Sequence, residues 1–349
     1  MTIASTSSPS SALAAALHCL ADGTPLSRDA TAAAFDVIMA GAATSAQTAA
    51  LLMGLRARGE SVEHLAGAAA ALRRAMVPLT CGESDRLVDT CGTGGGAVGT
   101  LNVSTAAAFV VAGAGVPVAK HGNRSFTSRC GSADVLEALG VNIALAPDRA
   151  ATVLGSVGLI FLFAPTYHPA MRHVGPTRKE LGVATIMNLV GPLVNPAGVR
   201  RQVIGVSDDT RAPLVAKALR DLGAIHALVV HADIGMDEIS PRGLTRVWEV
   251  RDGRVGQWTV DPANAGLAVD DLEDLRGGEP SENAGRIERL LARDGGAATR
   301  AAVLLNAAAA LYVAGLGLSY AAAVERATRS LDDGRAAAVL ERLRAATRS

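Results

Sequence analysis

From Leu87 onward the chain repeats one unit, a short apolar run followed by a polar loop and a helical segment. The runs are Leu87-Val88 and residues 116–119, 159–164, 203–206 and 228–231. Strands separated by helices cannot pair as tight hairpins. They must cross over, and crossovers build a largely parallel sheet with helices on its faces. Residues 246–250 and 255–260 flank Asp252-Gly253, which predicts a hairpin at the periphery of that sheet.

Ahead of this region the pattern is purely helical. Leu13, Leu17 and Leu20 share one helical face, and Phe35, Ile38 and Met39 share another after a possible Ser27 cap. Thr44-Ser45-Ala46-Gln47 reads as a capping box before Leu51, Leu52 and Leu55, and Leu65, Ala68, Ala69, Leu72 and Met76 mark a fourth helix. Residues 77–82 form a linker. The fold class is therefore α/β, with a small helical N-terminal domain plus a larger α/β domain around a mostly parallel central sheet. The division falls at 1–82 and 83–349, which suits a chain of 349 residues. A polar helical stretch after the run 159–164 is expected to pack back on the bundle as a hinge or insert, about 168–185. The acidic stretch 270–276 reads as a solvated face, and the chain ends in helices, including 301–314 and 321–331.

Composition removes several function classes. Lys+Arg and Asp+Glu are both 33, so no global basic field draws nucleic acid, and any phosphate site has to be local. Hydrophobic content of 49% with 3% aromatics points to a helix-rich chain with closely packed cores. Residues 301–318 are the most apolar, but Asn306, nearby glycines and the lack of basic flanks argue for a buried helix and against a membrane span. Cys19, Cys81, Cys91 and Cys130 show no pairing pattern and suit reduced thiols in the cytoplasm. Residues 1–10 lack the features of a signal peptide and read as a frayed tail.

Three polar loops carry the chemistry. Asp89-Thr90-Cys91-Gly92-Thr93-Gly94-Gly95-Gly96 would present backbone N–H groups to an anion without a Cβ in the way. It is neither a Walker A motif nor a GxGxxG fingerprint, and a glycine run alone is weak evidence against a flexible turn. Asn102-Val103-Ser104-Thr105 lies where the next helix begins, so its hydroxyls and N–H groups point at the same anion. Lys120-His121-Gly122-Asn123-Arg124 follows the second strand; Lys120 and Arg124 would neutralise phosphate, against the plain alternative of two solvated cations. Ser132 is expected to cap a helix carrying Val135, Leu136 and Leu139, stopped by Gly140. Asp237-Glu238, beyond a strand end, suits magnesium, although alone such a pair is usually just solvated. His168 and His173 have the wrong spacing for a helical zinc pair. Arg178-Lys179-Glu180 would by default be a surface charge run, and no covalent nucleophile stands out.

The residues resemble those of the anthranilate phosphoribosyltransferase family, from roughly Leu87 through Pro241. The motifs come in the family's order: Gly92-Thr93-Gly94-Gly95, Asn102-Val103-Ser104-Thr105, Lys120-His121-Gly122-Asn123-Arg124 and Gly131-Ser132-Ala133-Asp134. They continue with His168-Pro169-Ala170-Met171-Arg172-His173, Asn188-Leu189-Val190-Gly191-Pro192-Leu193-Val194-Asn195-Pro196 and Asp237-Glu238. The resemblance implies transfer of a phosphoribosyl group from 5-phosphoribosyl 1-diphosphate to anthranilate, in tryptophan biosynthesis. It implies a cytoplasmic homodimer joined through the helical domains, with no nucleic acid or membrane partner. The family's pattern assigns the phosphoribosyl donor to Gly92, Gly95, Gly96, Thr100, Asn102, Val103, Ser104, Thr105, Lys120, His121, Gly122, Asn123, Arg124, Ser125, Phe126, Thr127, Ser128 and Ser132. It assigns anthranilate to Gly92, Asn123, His168 and Arg178, and two Mg2+ per site to Ser104, Asp237 and Glu238. One departure is Gly96, where the family commonly has aspartate; Thr177 and Phe126 are milder ones. The competing expectations are a nucleoside phosphorylase of the same superfamily and a non-catalytic relative that binds nucleic acid.

Overall fold

The computed structural model describes residues 9–82, 84–125 and 129–348. Four helices come first: α1 (Pro9–Asp22), α2 (Arg28–Met39), α3 (Ser45–Arg58) and α4 (Val62–Ala75). Their starts follow local chemistry. Ser27 Oγ accepts from the Ala30 N–H at 3.2 Å, and Thr44 and Gln47 make the reciprocal bonds of the expected capping box. Ser61 and His64 make a second such box, which the sequence reading missed because histidine rarely fills that position. The frayed-tail expectation for 1–10 falls mostly outside the described residues, and Pro9 and Ser10 are already helical. Helices α2 and α4 approach closely at Gly67, where a Cβ would lie 2.5 Å from the Arg28 carbonyl oxygen.

Seven strands form one sheet: β1 (Val88–Asp89), β2 (Val118–Gly122), β3 (Leu159–Phe163), β4 (Arg201–Gly205), β5 (His226–Ala232), β6 (Thr245–Arg251) and β7 (Arg254–Val260). The order is β3-β2-β1-β4-β5-β6-β7, parallel from β3 through β5 and antiparallel from there to the edge. Asp252 and Gly253 both take positive φ (50° and 70°), the turn that matches strand twist in a two-residue hairpin. The chain builds outward from β1 in one direction and then returns to its other side as β4. That reversal is the switch point beyond whose strand ends open α/β sheets bind ligands.

Helix α5 (Val103–Gly113) follows β1 and packs against the helix Ala297–Val313, whose residues from Ala301 to Leu311 are all buried. Alanine on all sides lets these helices sit close, and an apolar surface all round is a core helix. Among the described residues no helix is long and apolar enough to cross a membrane.

The stretch after β3 packs on the bundle. Val174, Ile186, Met187, Leu189 and Val190 share an apolar core with Phe35, Leu51 and Leu65. The same core takes in Ile204 and Val206 at the end of β4 and Val215 and Leu219 of the helix Ala212–Asp221. Arg211 Nη2 meets Glu60 Oε2 at 2.8 Å across this junction, both nearly buried. Removing one partner would strand the other charge.

Gly67→Ala should destabilise the protein by about 1–3 kcal/mol, because the new methyl meets backbone in α2. Gly155→Ala, in the helix Pro147–Val157 with nothing within 4 Å of the added carbon, should stabilise it by roughly 0.5–1 kcal/mol. Denaturant midpoints of the two variants should move in opposite directions.

Candidate active site

The glycine-rich loop between β1 and α5 is pinned along its length. Thr93 N donates to the Gly205 carbonyl (2.9 Å), Ala97 N to Gly235 (3.0 Å) and Leu101 N to Leu275 (2.9 Å), and Gly277 N donates back to Gly99 (3.0 Å). Gly94 and Gly95 are at positive φ, 69° and 85°, which side chains rarely adopt. Gly92 presses on β4, where a Cβ would sit 2.9 Å from the Gly205 oxygen. The expectation that 270–276 is only a solvated face needs correction. Asp270, Asp271, Glu273 and Arg276 are exposed, but Leu275 is buried and bonds the loop. Asp274 caps the helix Ala297–Val313 by accepting from Thr299 N (2.9 Å). The residues bracing the loop lie far away in sequence, and local charge pattern carries no trace of that pairing.

At the mouth of the loop one hydrogen-bonded chain joins most of the expected residues. Lys120, only 3% exposed, donates through Nζ to the Thr90 carbonyl (3.2 Å) and Ser104 Oγ (3.2 Å). Ser104 N, in the first turn of α5, donates to Glu238 Oε1 (3.2 Å), and Thr100 Oγ1 donates to Oε2 (3.3 Å). Asp237 accepts from the Gly96 N–H. Burial, then the neighbouring Asp237 charge, raises Glu238 to about 8, and burial raises Asp237 as well. Two adjacent carboxylates held in a dense setting are a site short of positive charge. With the Ser104 hydroxyl the ligand atoms are all oxygen, which fits Mg2+, and its remaining ligands would be water and phosphate. Among the described residues no group of three or more His, Cys, Asp or Glu gathers around a metal position.

Gly96 has a positional reason. A Cβ there would fall 2.4 Å from Asp237 Oδ1 and 3.2 Å from the Asp237 nitrogen, so this carboxylate lies in the space an aspartate side chain at 96 would need.

Other residues, to which sequence reasoning gave no site role, support the chain. Asp89, fully buried, accepts from His121 N (3.2 Å) and from Asn195 Nδ2 (2.7 Å). Asn306 clasps the backbone beside Glu238, accepting from Ile239 N (3.0 Å) and donating to the Ile239 carbonyl (2.8 Å). A lone amide in an alanine and leucine helix was the available signal.

Two side chains are placed differently from expectation. Arg124 forks onto Glu137 (2.6 and 2.9 Å), also bonds Asp134 (2.8 Å), and lies over the Phe163 ring. Carboxylates in the helix Ser132–Ala138 out-compete water for the guanidinium. Ser132 does not cap that helix. Gly131 takes the cap position, Asp134 accepts from Gly131 N (2.8 Å), and Ser132 Oγ donates to the Asn123 carbonyl (3.2 Å). Phe126, Thr127 and Ser128 lie outside the described residues.

On the neighbouring side, His121 and His168 are buried with ring centroids 5.1 Å apart. Burial lowers them to about 3 and about 4, so both rings are neutral near pH 7. His168 is enclosed, its Nε2 unpartnered among the described residues, as is the buried Tyr167 hydroxyl. Arg178, half-buried in the helix Gly175–Leu181, is depressed by desolvation and forms no ion pair among the described residues.

Residues 14–76 match the helical bundle domain of the glycosyl transferase family and residues 84–337 its a/b domain. The chain is 49% identical over 332 residues to an anthranilate phosphoribosyltransferase of Afipia carboxidovorans, covering 95% of this chain and 97% of that one. The crystal structure of anthranilate phosphoribosyltransferase from Thermus thermophilus is similar at TM-score 0.90 and 41% identity, covering 96% of this chain and 99% of that chain. The Saccharomyces cerevisiae enzyme in complex with PRPP and Mg is similar at TM-score 0.87 and 27% identity, covering 97% and 98%. The same yeast enzyme in complex with 4-fluoroanthranilate gives 0.87 and 26%, covering 98% and 99%.

Asp89 supplies a pH test. Burial lifts its carboxyl from 3.8 to about 6, with Lys120 and Asn195 pulling it part of the way back. The folded protein therefore keeps a proton that the unfolded chain releases at lower pH. Stability from this group is complete below about pH 4 and is lost as pH rises to about 6, on the order of 3 kcal/mol. Unfolding midpoints measured from pH 4 to 7 should fall less steeply in Asp89→Asn than in wild type.

Proposed function

We propose that this chain, which belongs to the anthranilate phosphoribosyltransferases of the glycosyl transferase family, transfers the 5-phosphoribosyl group of 5-phosphoribosyl 1-diphosphate to the amine of anthranilate, releasing diphosphate. The observation that carries the reading is the chain Lys120–Ser104–Glu238 with Asp237 at the switch point of the sheet. It supports a site for a polyphosphate with its metal. The yeast complexes with PRPP and Mg and with 4-fluoroanthranilate support the two substrates.

The phosphoribosyl donor lies along the loops from Gly92 to Ser132, with its phosphates by the glycines at positive φ and the Ser104 hydroxyl at the start of α5. Lys120 stands behind Ser104 and lends positive charge to the diphosphate as the bond to the anomeric carbon lengthens. Ser104, Asp237 and Glu238 hold two Mg2+ ions, which when bound offset the charge building on the leaving group. Anthranilate sits by Gly92, Asn123 and His168 with its carboxylate on Arg178. The half-buried guanidinium supports that role, since it has no carboxylate partner among the described residues and desolvation favours its pairing with an anionic ligand. The aromatic amine is neutral and needs alignment more than a strong base. No protein base is assigned, and the departing diphosphate can take the proton.

The reading extends to a cytoplasmic homodimer that serves tryptophan biosynthesis. Exposed Met53 on α3 and Val183, just after the helix that packs on α3, support pairing through the helical domain. The domain division stays at 1–82 and 83–349, with 168–185 as the hinge over the acceptor pocket.

Purified protein should consume anthranilate, read by its fluorescence, only with both the phosphoribosyl donor and Mg2+ present. A nucleoside phosphorylase would leave the signal unchanged and cleave nucleosides, and a nucleic-acid-binding relative would shift DNA or RNA in a gel. Arg178→Ala should raise the anthranilate KM about ten- to hundredfold, the worth of a charged hydrogen-bonded pair, with a far smaller change for the phosphoribosyl donor. Equal changes in both would remove its assigned role. Replacing Asp237 by Asn and Glu238 by Gln together should abolish Mg2+-dependent turnover; near-normal rates would exclude them as the metal site.

A further inference from the structure

Asn102 stands at the cap position of α5 yet makes no cap bond with its side chain. An asparagine there ordinarily accepts from the second or third N–H of its helix. Here its backbone is at φ −69°, ψ 67°, away from the extended cap conformation, and its amide is held elsewhere. Oδ1 accepts from Asn283 Nδ2 at 3.0 Å and from the Cys130 thiol at 3.3 Å, while Nδ2 donates to the Cys130 carbonyl at 3.1 Å. Asn283 is 1% exposed on the helix Pro280–Leu291, and its own Oδ1 accepts from Gly278 N at 2.8 Å. All four polar atoms of the two amides are thereby occupied.

Val103 N donates to the Leu101 carbonyl (2.6 Å) and Thr105 N to the Asn102 carbonyl (3.0 Å), so the N–H that this arrangement leaves to the site is that of Ser104. Ser104 N, which a capping asparagine would compete for, donates to Glu238. The geometry points to Asn283 as a positioning residue: it draws the Asn102 amide away from the first turn of α5 and keeps the Ser104 N–H for Glu238, the carboxylate that faces the metal-bound diphosphate of the phosphoribosyl donor. This rests on the proposed function only for the identity of the ligand. Without Asn283 the side-chain oxygen of Asn102 turns to its own helix and takes the Ser104 N–H, and Glu238 loses the bond that orients it toward the metal-bound diphosphate. Asn283 acts through Asn102 and touches no substrate itself.

The test is a double-mutant cycle with Asn283→Ala, Asn102→Ala and the pair, read by calorimetric binding of inorganic diphosphate with Mg2+ and by steady-state kinetics. Asn283→Ala should weaken Mg2+-dependent diphosphate binding about five- to tenfold, the worth of one hydrogen bond to a carboxylate, and raise the phosphoribosyl-donor KM with it. The anthranilate KM should stay within about twofold, a split that a general loss of structure would not give. With Asn102 already alanine, adding Asn283→Ala should change diphosphate binding no further. Additive losses, or wild-type binding in Asn283→Ala, would overturn the proposal. If Asn283→Ala fails to fold, Asn283→Ser retains a hydroxyl for Gly278 N but is too short for Asn102, and the same outcomes apply. Absent anthranilate turnover in the wild type would count against the proposed function alone, since the diphosphate arm still reads the amide pair.

Discussion

A lysine ammonium held at 3% exposure inside a parallel sheet has to be surrounded by oxygen, and much of this molecule is arranged to supply it. Lys120 reaches across from β2 to the loop after β1, and its bonds to Thr90 and Ser104 tie the second strand to the start of α5. Ser104 in turn holds Glu238, and Asn306 holds the backbone beside it from a helix in the core. Four segments distant in sequence are thereby fixed around one small volume. Burial raises the proton affinity of both carboxylates on its far side, and the Asp237 charge raises that of Glu238 further, so the assembly favours an arriving cation with phosphate oxygens.

The glycines make this approach possible. Gly92 lies against β4 and Gly96 against Asp237, each where a Cβ would collide. A side chain at 96 would push aside the Asp237 carboxylate or the loop. Gly96 and the position of the acid are one packing solution, in which the backbone N–H of the loop reaches the carboxylate directly.

The helical bundle is more than an attached domain. Its apolar core continues through Val174, Ile186 and Leu189 to Ile204 and Val206 beside the sheet, and the Glu60–Arg211 pair crosses the same junction. The segment bearing His168 and Arg178 belongs to this shared core. Under the proposed function, the acceptor's pocket is therefore positioned by packing between the two bodies.

Much of this was legible in the sequence. Alternating apolar runs imply crossovers, a Thr-x-x-Gln caps a helix, and Asp-Gly makes a hairpin, because each effect acts within a few residues. The three polar loops and the Asp237-Glu238 pair were equally readable as residue types at strand ends. Tertiary structure decided which partners they meet. Arg124 went to Glu137 and Asp134, Ser132 yielded its cap to Gly131, and the stretch 270–276 became a brace for the glycine loop. Asn283 reached Asn102 from 181 residues away. Backbone conformation follows from neighbours along the chain, whereas a side-chain hydrogen bond depends on which surfaces packing brings within 3 Å, and no local pattern encodes that.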